Sequence, residues 1–310
     1  MILNTGNRTD IPAYYSEWFY NRIKEGFVLA RNPYYPEQVL KYKLSPEVID
    51  CICFCTKNPG PMLDRLDEIK NFGQFWFVTI TPYGKDIEPY VPDKEKVLSD
   101  FCILSERVGK NAVGWRYDPI FLSERYSMEF HISAFAKMAE RLKGKTSQCV
   151  ISFIDLYEKT KKNFPGVKAV SRQDAVMLTK ELVRIAQKNE MKIYTCAEGD
   201  YLAEYGADCG GCMRTEVIER AIGCALKIPK SKKSSRETCN CLLGNDIGMY
   251  NTCPHGCLYC YANYDMSIVK ENLKSHNPLS PLLVGGINPE DNIKDVRQES
   301  YIDNQLRLFI

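Results

Sequence analysis

Charge of one sign is what the sequence most plainly lacks. Lys and Arg number 41 against 39 Asp and Glu, leaving a net charge of +2. No global field therefore draws the chain to nucleic acid or membrane, and any electrostatic recognition must be local. Long apolar runs are missing too, since none approaches the ~18–20 residues that span a bilayer. The opening "MILNTGNRTDIP" has no basic stretch followed by an apolar one, so it does not read as a signal peptide. These absences lead to the expectation of a cytoplasmic protein with no membrane partner. In that reducing compartment a disulfide framework is excluded, and the 14 cysteines need another account.

What is present is a regular alternation over the first two thirds of the chain. "MILNT" is a short apolar start, and "AYYSEWFYNRIKEGF" has Trp18, Phe19 and Ile23 at helical spacing. Asp10 can cap that helix, with Pro12 tolerated in its first turn. "VIDCICFCT", "FWFVTIT", "AVGWRYDP", "QCVISFI" and "MKIYTCAE" read as strands. Between them lie helical stretches: part of 93–108, a segment capped by Ser127, and one opened by a Ser171–Asp174 capping box. Strands alternating with helices imply parallel βαβ units. About six fit, fewer than the eight of a complete barrel. The expected fold is α/β, a partial TIM-like barrel over 1–223. A Cys-rich, mostly irregular extension over 224–310 would pack on it, with only 263–275 looking helical.

Polar residues recur where the strands should end: Asn4, Arg8 and Asp10; Thr56, Lys57 and Asn58; Thr81 and Tyr83; Arg116 with Asp118; Asp155; and Glu198 beside Cys196. In parallel α/β folds such ends converge on the ligand-binding face. Any one of them alone also reads as an ordinary strand-end or cap group; the recurrence is what points to a site.

The cysteines form two populations. Cys51, Cys53, Cys55, Cys102 and Cys149 lie in apolar runs and read as buried structural thiols. The rest crowd into the second half. "TCPHGCLYCYAN" sets Cys253, Cys257 and Cys260 as C-x3-C-x2-C. Three close thiolates can hold an iron–sulfur cluster with one iron open, or a zinc ion if a fourth ligand such as His255 joins.

With an aromatic residue, Tyr259, just before its last cysteine, this triad resembles the signature of the radical S-adenosylmethionine superfamily. "NRTDIPAYYSEWFYNRIKEG", "FCTKNP", "ITPYG", "WRYDPI", "DIGMYNTCPHGCLYCYAN" and "QLRLF" resemble an uncharacterised bacterial family of that kind, whose triad lies near the C-terminus. More remotely, the barrel is similar to that of spore photoproduct lyase. The resemblance implies a 4Fe–4S cluster on the triad, S-adenosylmethionine on its open iron with Tyr259 near the adenine, and a flavodoxin- or ferredoxin-like electron donor. It implies an enzyme that starts radical chemistry on an unidentified substrate. Arg8, Lys57, Arg116, Asp118, Asp155 and Glu198 would then bind cofactor and substrate.

A second metal set remains. Cys196, Cys209, Cys212, Cys239 and Cys241 could supply four ligands to another 4Fe–4S cluster or to a structural zinc. The resemblance favours Cys196, Cys212, Cys239 and Cys241; a set including Cys209 competes. The closing Gln305–Phe309 resembles a sliding-clamp-binding peptide, which binds extended with its apolar side chains in a pocket, although the same tail can dock on its own fold. Two lysine-rich stretches, 159–162 and 227–236, can neutralise phosphates or stand as solvated loops. The alternative to the enzyme is a metal protein that binds nucleic acid or a replication partner.

Overall fold

A computed structural model describes residues 1–229, 241–242 and 244–303. Near-continuous apolar strands build its centre. β4 (Cys51–Thr56), reading CICFCT, is buried at every position but one. Such a strand needs cover on both faces, which a parallel sheet between helices provides. β4 pairs in parallel with β1 (Ile2–Asn4) on one side and β5 (Gly73–Thr79) on the other. Beyond β5 come β6 (Val113–Ile120), β7 (Gln148–Phe153) and β8 (Lys192–Thr195), all parallel. The strand order is β1-β4-β5-β6-β7-β8.

The alternation expected from the sequence is therefore present, but the TIM-like barrel is corrected to a six-stranded sheet with two outer strands. β1 and β8 stand at opposite ends of the order and do not pair. Each is instead met by an irregular segment, through the isolated bridges Asn4–Asp246 and Tyr194–Asp208.

The helices follow local rules. Asp10 caps α1 (Ile11–Tyr14), its carboxylate accepting from the Ala13 N–H. The single helix expected here breaks at Tyr15, whose hydroxyl reaches 2.5 Å to the carbonyl of Thr252. It resumes as α2 (Ser16–Glu25) and ends on Gly26 at φ 75°, a left-handed position natural to glycine. α3 (Lys94–Val108), α4 (Met128–Arg141) and α6 (Arg172–Lys188) cover the sheet, with α5 (Glu158–Asn163) a short intervening turn. Ser127 and Ser171 cap α4 and α6 as the sequence indicates. α7 (Thr215–Ile222) packs against β5. The core is strongly aromatic. Trp76 stacks on Phe54 at 3.9 Å and Trp115 on Phe135 at 4.6 Å. Side chains of this kind, fully buried, stabilise by about 1.5–3 kcal/mol each.

A second sheet has no counterpart in the sequence reading. β2 (Phe27–Arg31) and β3 (Gln38–Lys43) form an antiparallel pair, and β9 (Asn292–Asp295) adds in parallel to β3. The expected irregular extension thus contains α8 (Met266–Lys274) within 263–275, as anticipated, and also this strand. No described helix is long and apolar enough to cross a membrane.

Candidate functional site

One cavity of about 880 Å³ lies at the C-terminal ends of the six parallel strands. Residues following every strand reach it: Arg8 after β1, Lys57 after β4, Thr79 in β5, Arg116 and Asp118 in β6, Asp155 after β7 and Cys196 after β8. The segment carrying Cys253, Cys257, Tyr259 and Cys260 supplies the facing wall. Tyr157 and Tyr261, both half exposed, stand at the rim with ring centroids 6.4 Å apart.

Behind this wall is a buried charge cluster. Glu88 has a fully buried side chain, and its Oε1 accepts from Lys57 Nζ at 2.9 Å and from the Thr81 hydroxyl at 2.7 Å. Tyr259 donates to the same oxygen, and Lys94 pairs with Oε2. Burial works to raise the Glu88 pKa, but the two ammonium groups overcome it and hold the carboxyl at about 2. Lys57 is pulled down by burial, but Glu88, with Cys257 and Asp118 adding to it, leaves its pKa raised. Lys94, in which burial wins, is lowered.

Two further pairs brace the strand ends. Arg116 donates through Nε to Asp118 at 3.0 Å, and Ser152 bonds the other Asp118 oxygen. Arg8 donates through Nε to Asp246 at 2.9 Å, tying the loop after β1 to the C-terminal segment. Asp10 accepts from the Lys57 backbone N–H and from His255 Nε2, each at 2.8 Å. The other ring nitrogen of His255 faces the Tyr14 hydroxyl at 2.9 Å. Glu198 lies beside the cavity without lining it. Its Oε1 accepts the Phe153 N–H at 2.8 Å, and burial, aided by Asp155 and Asp118, pushes its carboxyl up to about 7.

No described cysteine forms a disulfide. Cys51, Cys53 and Cys149 are buried as expected, whereas Cys55 reaches the cavity. Cys212 and Cys241 have their sulfurs 3.6 Å apart, and Arg116 Nη1 lies 3.7 Å from Cys212. Cys196 contacts Cys212. Cys239 and the tail Gln305–Phe309 lie outside the described residues, as does most of the second lysine-rich stretch. In the first, Lys161 is paired with Glu158, and Lys159 lies 3.6 Å from the Tyr264 ring centroid.

A family profile, Domain of unknown function (DUF1848), matches residues 2–262. The chain belongs to this family. No curated protein matches it.

Membership in DUF1848 overturns the radical S-adenosylmethionine resemblance, and the geometry agrees. Among the described residues, no group of three or more His, Cys, Asp or Glu is placed to hold a metal ion. Cys257 and Cys260 share a turn, closed by the Cys260 N–H to the Cys257 carbonyl at 3.1 Å, but with Cys253 they do not form such a group. His255 is no spare fourth ligand, since both its nitrogens are engaged within the fold. Cys196, Cys212 and Cys241 likewise make no metal group among the described residues. The expected 4Fe–4S clusters, the alternative zinc and the S-adenosylmethionine held on an open iron are corrected accordingly. So is the assignment of a radical enzyme; of the second cysteine set, Cys239 falls outside the described residues. The alternative of a metal protein fails on the same ground.

The sequence reading gathered Arg8, Lys57, Arg116, Asp118, Asp155, Tyr259 and Glu198; the first six line the cavity and Glu198 does not. It missed Glu88 and Lys94. Both sit in "IEPYVPDK", a proline-punctuated stretch with no periodicity or motif to mark a buried carboxylate.

Proposed function

We propose that the chain binds a small organic molecule in the cavity at the strand ends. The observation that carries this reading is the convergence of residues from all six strands on a single space of about 880 Å³. Ligand pockets run to about 300–1,000 Å³ and combine apolar walls with a few fixed polar groups. Here the polar groups are braced: Arg116 by Asp118, Arg8 by Asp246, and Lys57 by Glu88. Such bracing fixes side-chain positions before a ligand arrives, which lowers the entropy cost of binding.

A nucleotide, free or within a strand, is one ligand this arrangement suits. Its base would stack on the half-exposed Tyr157 and Tyr261, and its phosphate would meet the lysine side of the cavity. The test is a thermal-shift and calorimetric screen with nucleosides, nucleotides, aromatic acids and amino acids. It is repeated on Ser152→Trp, which fills the cavity from β7. Saturable binding that disappears in the variant is expected. A panel without binders, or binders indifferent to Ser152→Trp and to a second filling variant, Thr79→Trp, would sink the reading.

A further inference from the structure

We infer that the ligand of this cavity carries an anionic group, a carboxylate or a phosphate, which seats against Lys57. The inference rests on the cavity being a ligand site and names the chemistry that the site selects.

The argument is one of charge and donor accounting around Glu88. Its two oxygens receive four donors: Lys57, Thr81 and Tyr259 on Oε1, and Lys94 on Oε2. Two ammonium groups thus share a single carboxylate, and one positive charge is left over in a largely buried place. A buried charge without a counter-charge is costly. Among the described residues no second carboxylate forms an ion pair with either ammonium. Asp118, which also acts on Lys57, is bound by Arg116 and Ser152. Asp10 meets the backbone N–H of Lys57 and not its ammonium, and its outer oxygen is shared with His255.

The surplus reaches the cavity at Lys57. Its side chain is 13% exposed and lines the space, whereas Lys94 is not among the lining residues. An ammonium carries three donors, and Glu88 takes one of those on Lys57. Beside it the Tyr259 ring centroid lies 5.4 Å away, a flat apolar wall for the body of the ligand. An anion at Lys57 would restore neutrality and use the remaining donors. A cationic ligand would add to the surplus.

Phenyl phosphate, benzoate and benzylamine share one ring and differ in head group. Each is titrated calorimetrically, in low-chloride buffer, into the wild-type chain, Lys57→Met and Lys94→Met. At least one of the two anions binds the wild type; which one does so distinguishes phosphate from carboxylate. Its affinity falls tenfold or more in Lys57→Met, and it also falls in Lys94→Met, where a neutral Lys57–Glu88 pair remains. Benzylamine does not bind. An anion held equally well by Lys57→Met overturns the inference. Should Lys57→Met fail to fold, undiminished affinity in Lys94→Met does the same. Neutral or cationic compounds that fill the cavity while both anions are refused would sink this inference and leave the ligand site standing. No binding of any compound removes both.

Discussion

Lys57 Nζ and Glu88 Oε1 lie 2.9 Å apart, across 31 residues of sequence. The contact fastens the loop after β4 to the loop after β5, and Lys94 at the start of α3 closes on the same carboxylate. Three separate segments are thereby held by one side chain. Because that side chain is fully buried, the carboxylate cannot turn to water without opening the structure.

Replacing Glu88 with Gln should therefore be severe. Two ammonium groups would face a neutral amide, and removing one partner of a buried charged set typically costs about 3–5 kcal/mol. Urea denaturation of Glu88→Gln against wild type measures this. A loss below about 1 kcal/mol would show that water already solvates the lysines.

The same residue sets an acid limit. Glu88 is held at about 2, below its ordinary 4.5, so its contribution is fully present above pH 4.5 and is lost as pH falls towards 2. Stability measured between pH 5 and 2 should fall steeply in the wild type. The fall should be shallower in Glu88→Gln, from a lower starting value.

Glu198 works in the opposite sense. Its carboxyl is raised to about 7, so the folded chain favours the protonated form. That contribution is complete below about pH 4.5 and is lost as pH rises through 7. Glu198→Gln should flatten the decline in denaturation midpoint between pH 5 and 8. An unchanged slope would mean that the carboxyl ionises freely.

His255 should prove structural. Its two ring nitrogens join Asp10 and Tyr14, so His255→Leu removes a donor from a buried carboxylate that keeps the Lys57 and Ala13 N–H groups. A loss of about 1–3 kcal/mol is expected in thermal or chemical unfolding. Iron or zinc content, measured by mass spectrometry on both proteins, should not track the substitution.

What could be read in the sequence is what is local. The parallel strands announce themselves as apolar runs, and Asp10, Ser127 and Ser171 cap helices with the side chains suited to the task. Strand-end residues such as Lys57 and Arg116 could be gathered in advance because parallel strands all finish on one side of a sheet. β9 could not, since all four of its residues are exposed and it pairs Asn292 with Gln38 from the far end of the chain. The cysteine spacing misled for a related reason. Spacing fixes a turn, as at Cys257 and Cys260, but where thiols point depends on the packing around that turn. Tyr259, anticipated beside an adenine, spends its hydroxyl on Glu88.

The cavity draws its walls from residues 6–10 and from residues 253–263. On the ribosome, the six strands are all available once residue 195 has emerged, and the sheet can begin to assemble then. The binding face has to wait for a further stretch of synthesis. A chain interrupted between those two points would carry a nearly complete sheet whose polar strand ends, Lys57 and Arg116 among them, lie open to water on the side later covered by Tyr259. Capacity to bind would thus appear abruptly, once residues 253–263 have joined the sheet.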